Sequence, residues 1–536
     1  MKKHSQILLF ILLVSSTLFG QPKLSQDFRV TTGTPYQVVD AQNKEYFSDG
    51  DKSVISVKTR GALVIVQKFD VESMKEIARN EYEDFPKYSK VQKVLQLGNK
   101  LFYIFEAFNK SEDTFTVYSR EVDMTNGTML AIKKLFTTNR VVVNGPNPEG
   151  LLASFGMVFG SKFTVYKSFD NSKILINYRN KPLTRRDAEN YDELGFYVFD
   201  ANLEKQWGKE VKMPHTEKEM NNLAYVVGKN GTAYMLSYLN EAEKFELITV
   251  KKDAELTNKI IEIDASLKFK EFYVKEEPNG NLSCTGYYAN GIEYKYGFGS
   301  GLNAVFNVNG IYNFSLTASG DLKNIVNHEF PIELINQYQT DRSQSKNEKR
   351  EEAGKAGIAD LKLRELMVDE ANNKIYVGER YHTITKRTGQ TTTTSFYYGN
   401  MVITKLNSAG EIVWENKLPK SQVGTRGRGG MGAIYIKGKD AHYLLFLDNV
   451  NNADISLNEK PKKHADGKGG FLTAFKIDDK TGAIEKHSIL NVLDINGIEA
   501  FQFATSRILE VKDGVFLLET YIKGKKDTMI KMELLK

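Results

Sequence analysis

The chain has 536 residues, 41% of them hydrophobic and 26% charged, with a net charge of +6. A balance so near neutral over this length provides no field for nucleic acid. The single cysteine, Cys284, excludes an internal disulfide, cysteine-type zinc sites and thiol redox chemistry, and it reads as a small buried hydrophobe. Aromatic residues make up 11% of the chain, 27 Tyr and 31 Phe against 2 Trp, which leans towards strands.

The N-terminus reads as a secretory signal peptide over residues 1–20: Lys2 and Lys3, an apolar run Ile7–Leu13, then small residues before Gln21. The apolar run is too short for a stable membrane span, and no other window is apolar for long enough to cross. Removing Lys2 and Lys3 leaves a charge of +4. The expected location is periplasmic or secreted.

Between Gln21 and Asp51 the pattern is weak, with short strand candidates in Phe28–Val39. From there a four-strand grammar repeats. Val54–Val57, Leu63–Phe69 and Lys75–Tyr82 come first. Val91–Leu97, Leu101–Phe108, Phe115–Val122 and Met129–Phe136 make the second unit, with turns at Gly98-Asn99-Lys100 and Met124–Gly127. Third, fourth and fifth units start at Phe163, Leu223 and Phe269. A sixth starts at Leu361 and a seventh at Ala433. In the sixth, Met401–Leu406 and Ile412–Leu418 flank the turn Ser408-Ala409-Gly410-Glu411. The chain ends on three strands, Ile508–Val511, Val515–Ile522 and Thr528–Leu535.

A ring of four-stranded sheets commonly completes its last sheet with a strand from the N-terminal segment, which removes an open edge. The expected fold is therefore an all-β propeller of eight four-stranded blades, closed by a strand from Phe28–Val39. Seven blades is the alternative count, and a tandem β-sandwich is the competing architecture. Residues 21–536 are read as one domain and as a monomer.

In such a blade, the first-to-second and third-to-fourth turns share one face. The predicted turns there are short. The insertions fall on the opposite face: 179–194, 289–310, 333–360, 383–400, 421–432 and 449–470. Elaborated loops on a rigid scaffold mark the functional face.

Four of these insertions carry candidate chemistry. Ser421–Gly432 is glycine-rich, and Arg426 and Arg428 suit a carboxylate, sulfate or phosphate. It lacks the Lys-Ser/Thr ending of a nucleotide loop, so its other reading is a flexible connection. Asp448–Gly470 gathers Asp448, Asn451, Asp454, His464 and Asp466. Oxygen-rich loops hold calcium, but this spacing does not fit an EF-hand, and a solvated turn cluster is the favoured reading. Tyr287, Tyr288, Tyr294, Tyr296, Tyr397 and Tyr398 suit a carbohydrate or peptide surface, or else pack on one another in hairpins. The charged insert 333–360 has helical composition with mixed signs, as in a solvated helix. No cofactor motif, paired-His motif or GxSxG sequence is present.

Asp479-Lys480-Thr481-Gly482 and Gly410-Glu411-Ile412-Val413-Trp414 resemble turns of quinoprotein propellers, a family that docks neighbouring blades through a Trp in nearly every blade. With only Trp207 and Trp414 here, the family's cofactor and catalytic residues are not carried over. The run Lys405–Asp479, containing KLPK, RGRGGM, FLDN and HADGKGGFLTAFKID, is similar to a family of uncharacterised exported proteins of Gram-negative bacteria, which implies export and no mechanism. The expected function is a scaffold binding a glycan, peptide or envelope protein on the elaborated face, around Tyr287, Tyr397, Tyr398, Arg426, Arg428, His464 and Asp466. A glycosidase-like hydrolase with acids at the channel mouth is the alternative class.

Overall fold

The computed structural model describes residues 24–50, 52–143, 161–263, 267–269, 272–291, 293–297, 301–425 and 430–535, with the side chains of 293–297 and 301–305 outside that description. Predicted features in 1–20 lie outside the described residues.

Among the described residues, eight largely antiparallel sheets of four to six strands follow one another along the chain. Sheet 1 is Asn43–Asp49, Ser53–Arg60, Leu63–Asp70 and Glu76–Tyr82. Sheet 2 spans Ser89–Thr137, sheet 3 Phe163–Thr216, sheet 4 Met220–Ile261 and sheet 5 Tyr273–Glu329. Sheet 6 spans Leu361–Leu418 and sheet 7 Ala433–Asn491. In sheet 8, Ile508–Lys512, Val515–Ile522 and Lys526–Leu534 receive Phe28–Thr32 as the fourth strand, with Phe28 opposite Leu534 and Thr32 opposite Ile530. The expected closure by an N-terminal strand is the one observed. Asn43–Asp49 is a full strand that the weak sequence pattern hid, because its residues are only partly covered and mix charges with aromatics.

Burial follows strand position. The second strands Leu282–Ala289 and Ala441–Asp448 are buried throughout, since each sheet packs a neighbour on both faces. The fourth strand Thr257–Ile261 is exposed at its first four residues, as polar outer edges are. The apolar side chains form clusters that each join consecutive sheets: 1 with 2, 2 with 3, and so on to 7 with 8. A further cluster, with Val54, Phe69, Val511, Val515 and Leu517, joins sheet 8 back to sheet 1. The packing therefore closes on itself. Lysines on the first strands of sheets 2, 3 and 5 share a neighbourhood: burial and the charges of Lys275 and Lys93 lower the pKa of Lys167. The fold is a β-propeller.

Sheet-to-sheet docking on the short-turn face uses both tryptophans. Trp207 Nε1 donates to the Gly231 carbonyl at 2.9 Å, and Trp414 Nε1 to the Asp479 carbonyl at 3.0 Å. Gly482 (φ +71°) sits under the Trp414 ring, where a Cβ would lie 2.6 Å from Cγ, so only glycine fits. Cys284 is fully buried and burial pushes its thiol pKa up.

Candidate functional site

Above sheet 6 three of the insertions are woven together. The second and third strands, Lys374–Thr388 and Thr391–Leu406, overshoot the sheet as a long hairpin. Pro419 ends the fourth strand, and Gln422–Gly424 returns to pair with that hairpin: Phe396 opposite Gly424, Tyr397 opposite Val423, Tyr398 opposite Gln422. His464–Ala465, from the 449–470 insertion, then pairs parallel with Gln422–Val423. Gln422 fastens the arrangement to sheet 7: its Nε2 donates to the Leu447 carbonyl at 2.7 Å, and its Oε1 accepts the Gly432 amide at 2.9 Å.

Under this platform lies a buried ionic group. Glu379 Oε1 accepts from Lys420 Nζ at 2.6 Å, and its Oε2 from Arg364 Nε at 2.9 Å. Burial lowers the Lys420 pKa, and Glu379 opposes that shift. Tyr398 is buried over the same group, with Lys420 Nζ 5.3 Å from its ring centroid and the Tyr381 ring 4.9 Å away. Burial raises the Tyr398 hydroxyl above its ordinary value. His464 is 3% exposed, and burial with the Lys420 charge pulls its pKa down to about 4, so its imidazole is neutral at neutral pH. Its ring touches Gly470 (φ +128°), where a Cβ would stand 2.9 Å from Cε1.

The outward surface is different. Tyr397 stacks on His382 with centroids 4.8 Å apart and planes within 5°. Lys463 Nζ stands 5.8 Å from the Tyr397 centroid. His382 Nδ1 lies 3.9 Å from Asp360 Oδ2. Burial lowers the His382 pKa, which Asp360 opposes and Arg380 reinforces. A flat, partly covered ring pair beside a flexible cation is a surface for a planar or ring-shaped ligand.

The structure thus gathers Tyr397, Tyr398, His464 and Asp466, whose amide donates to the Val423 carbonyl at 2.9 Å, but Tyr398 and His464 are buried and support the platform from within rather than facing a ligand. Arg426 and Arg428 lie outside the described residues, and so do the side chains of Tyr294 and Tyr296. One expectation is corrected, and the weaker calcium reading gains no support. Tyr287 and Tyr288 are 2% and 1% exposed; Tyr287 belongs to the core between sheets 5 and 6, against Phe330, and so offers no ligand surface. In the proposed calcium loop, Asp448 is buried and bonded to the Asn449 amide and the Asn452 side chain, with Lys486 Nζ 3.8 Å away. Asn451 bonds back to Asn449, and Asp454 is exposed. The loop's oxygens brace the loop itself, and among the described residues no group of three or more His, Cys, Asp or Glu is placed to hold a metal ion.

Sequence reasoning missed Glu379, Lys420, Arg364, Gln422 and His382. Glu379 and Lys420 are 41 residues apart, so no local spacing signals them. Two carboxylates on first strands, Glu45 and Glu365, are raised by burial and opposed by Lys93 and Lys275 respectively. Each answers to a lysine rather than to a second acid.

No family model matches the chain, and no curated protein sequence does. Among solved structures it is similar to the β-propeller domain of the Trilobed protease from Pyrococcus furiosus, at 9% identity over 86% of this chain and 98% of that one, with a TM-score of 0.33. It is also similar to the WD40 domain of SCAP from fission yeast, at 9% identity over 95% and 97%, with a TM-score of 0.38. Prolyl oligopeptidase B from Galerina marginata matches at 9% identity over 92% of this chain and 56% of that one, TM-score 0.36. No helix among the described residues is long and apolar enough to cross a membrane.

Proposed function

We propose that the chain is an exported, single-domain propeller of eight blades that binds a glycan on the platform above sheet 6. The observation that carries this reading is the stacked Tyr397–His382 pair on a platform woven from three separate insertions. Loops tied into a sheet over a buried Glu379–Lys420–Arg364 group hold their rings in place before a ligand arrives, which lowers the ordering cost of binding. Lys463 beside Tyr397 favours a glycan carrying carboxylate or sulfate groups, and so does the chemistry of Arg426 and Arg428, which follow Gln422–Gly424 in the sequence.

The test is a glycan array, with a peptide array beside it, probed with the wild-type protein, Tyr397→Ala and Arg426→Ala/Arg428→Ala. Wild type is expected to select acidic glycans. Tyr397→Ala is expected to weaken capture by roughly tenfold, the scale of one lost aromatic contact. Selection of peptides alone, or glycan binding indifferent to all three substitutions, overturns the reading.

A further inference from the structure

The insert between sheets 5 and 6 roofs a cavity on the outer rim, away from the stacked rings. Its short helix Ile332–Asn336 is held over the fourth strand of sheet 6 by Lys417. Lys417 Nζ donates to the carbonyls of Leu334, Ile335 and Gln337 at 2.9, 3.0 and 2.9 Å. Tyr338 fixes the other end of the roof, its hydroxyl donating to the Leu457 carbonyl at 2.5 Å with the Lys417 carbonyl 3.1 Å away. Beneath lies a cavity of about 750 Å³, contiguous through Glu333, Gln337 and Tyr338 with a second of about 480 Å³ that reaches Glu348 on the helix Asp341–Glu351.

One wall is apolar, formed by Leu334, Leu418, Leu457 and Ile484. The other carries carboxylates. The Glu415 side chain is 8% exposed; its Oε1 accepts from Thr404 Oγ1 at 2.9 Å and faces His328 Nε2 at 3.2 Å. Its Oε2 has no hydrogen bond among the described residues, and neither Glu333 nor Glu348 has an ion pair among them. The lysine in the lining, Lys417, spends its three donors on backbone carbonyls. A long cation with an aliphatic stem satisfies both walls at once: methylenes against the leucines, a charged head on the buried carboxylate.

We propose that this cavity binds a lysine or arginine side chain presented by a peptide, with the head on Glu415. A free alkylamine has the same chemistry, so the experiment separates the two sources. The whole protein is titrated, by ligand-observed NMR and calorimetry, with acetyl-Gly-Gly-Lys-Gly-Gly-amide, with the same peptide carrying norleucine or glutamate in place of lysine, and with n-hexylammonium. The lysine peptide is expected to bind at least about tenfold more tightly than the norleucine peptide, since a hydrogen bond to a charged partner is at stake. Glu415→Gln, which keeps the Thr404 contact, is expected to remove that preference while the thermal midpoint holds. Exposed Glu333→Gln is expected to reduce it by a smaller factor without touching the core. Equal binding of the norleucine peptide, a preference that survives both substitutions, no binding of any peptide, or binding of hexylammonium alone overturns the proposal.

Discussion

His464 shows how one side chain is set by what surrounds it. In the unfolded chain an imidazole takes its proton near pH 6.5, whereas burial and Lys420 delay this in the folded protein to about pH 4. As pH falls through that window the unfolded state binds the proton first, so stability drops, by at most about 3 kcal/mol. Above pH 6.5 the residue is neutral in both states and contributes no slope. Urea midpoints at pH 7 and pH 4.5 for wild type and His464→Gln test this. The variant is expected to lose less stability across the window than wild type, and parallel losses would refute it. Nothing in the local sequence HADGKGG announces such a shift, because its causes are the depth of the strand pairing and a lysine 44 positions upstream.

At the scale of elements, the platform above sheet 6 depends on a strand of three residues, Gln422–Gly424. So short a strand has little stability of its own, and its place is secured by the Gln422 side chain. Gln422→Ala leaves the Leu447 carbonyl and the Gly432 amide buried without those partners. A cost of about 1–3 kcal/mol is expected. The expected signature is local: hydrogen exchange accelerates at 422–424 and 464–465 while sheets 1 to 4 keep their protection. Uniform acceleration across the ring would show that the platform is not a separate unit. The insertions were legible in the sequence as interruptions of a repeat, and so was the face they share. Their mutual pairing was not, since strands of two and three residues carry no periodicity.

For the whole molecule, the seam between sheets 8 and 1 carries the charges that the apolar clusters do not. Lys58 Nζ and the Tyr36 and Tyr46 hydroxyls all donate to Glu519, at 2.5, 2.6 and 2.5 Å, and Lys44 reaches Asp527 at 3.2 Å. Lys58, Glu519 and Asp527 are fully buried. Burial alone would raise Glu519; Lys58 and Lys44 instead hold it well below the usual carboxylate range. Removing one member strands the others without water, so Glu519→Ala is expected to cost about 3–5 kcal/mol, read as a shift of the urea midpoint. Replacing a pair by apolar groups avoids part of that penalty, and Lys58→Met/Glu519→Leu is expected to recover some of the loss. A double variant no better than the single one would show that the seam needs the ion pair for specificity.

The sequence by itself determined the repeating unit, the strands within it, the incomplete last sheet and the face that bears the insertions. Those follow from period-two alternation and turn chemistry, which act over a few residues and are written locally. Even so, Asn43–Asp49 escaped it, because a partly covered inner strand in which a charged pair, Lys44-Glu45, is followed by an aromatic pair, Tyr46-Phe47, has no clean apolar face. Only the tertiary structure decided that Tyr397 is a surface residue while Tyr287 is core, since both read as tyrosines beside glycine and threonine. It also decided that Glu379 meets Lys420, and that Glu415 lines a roofed cavity. Such contacts join residues tens of positions apart, and strand pairing within a sheet together with the packing of neighbouring sheets and their insertions brings them within range.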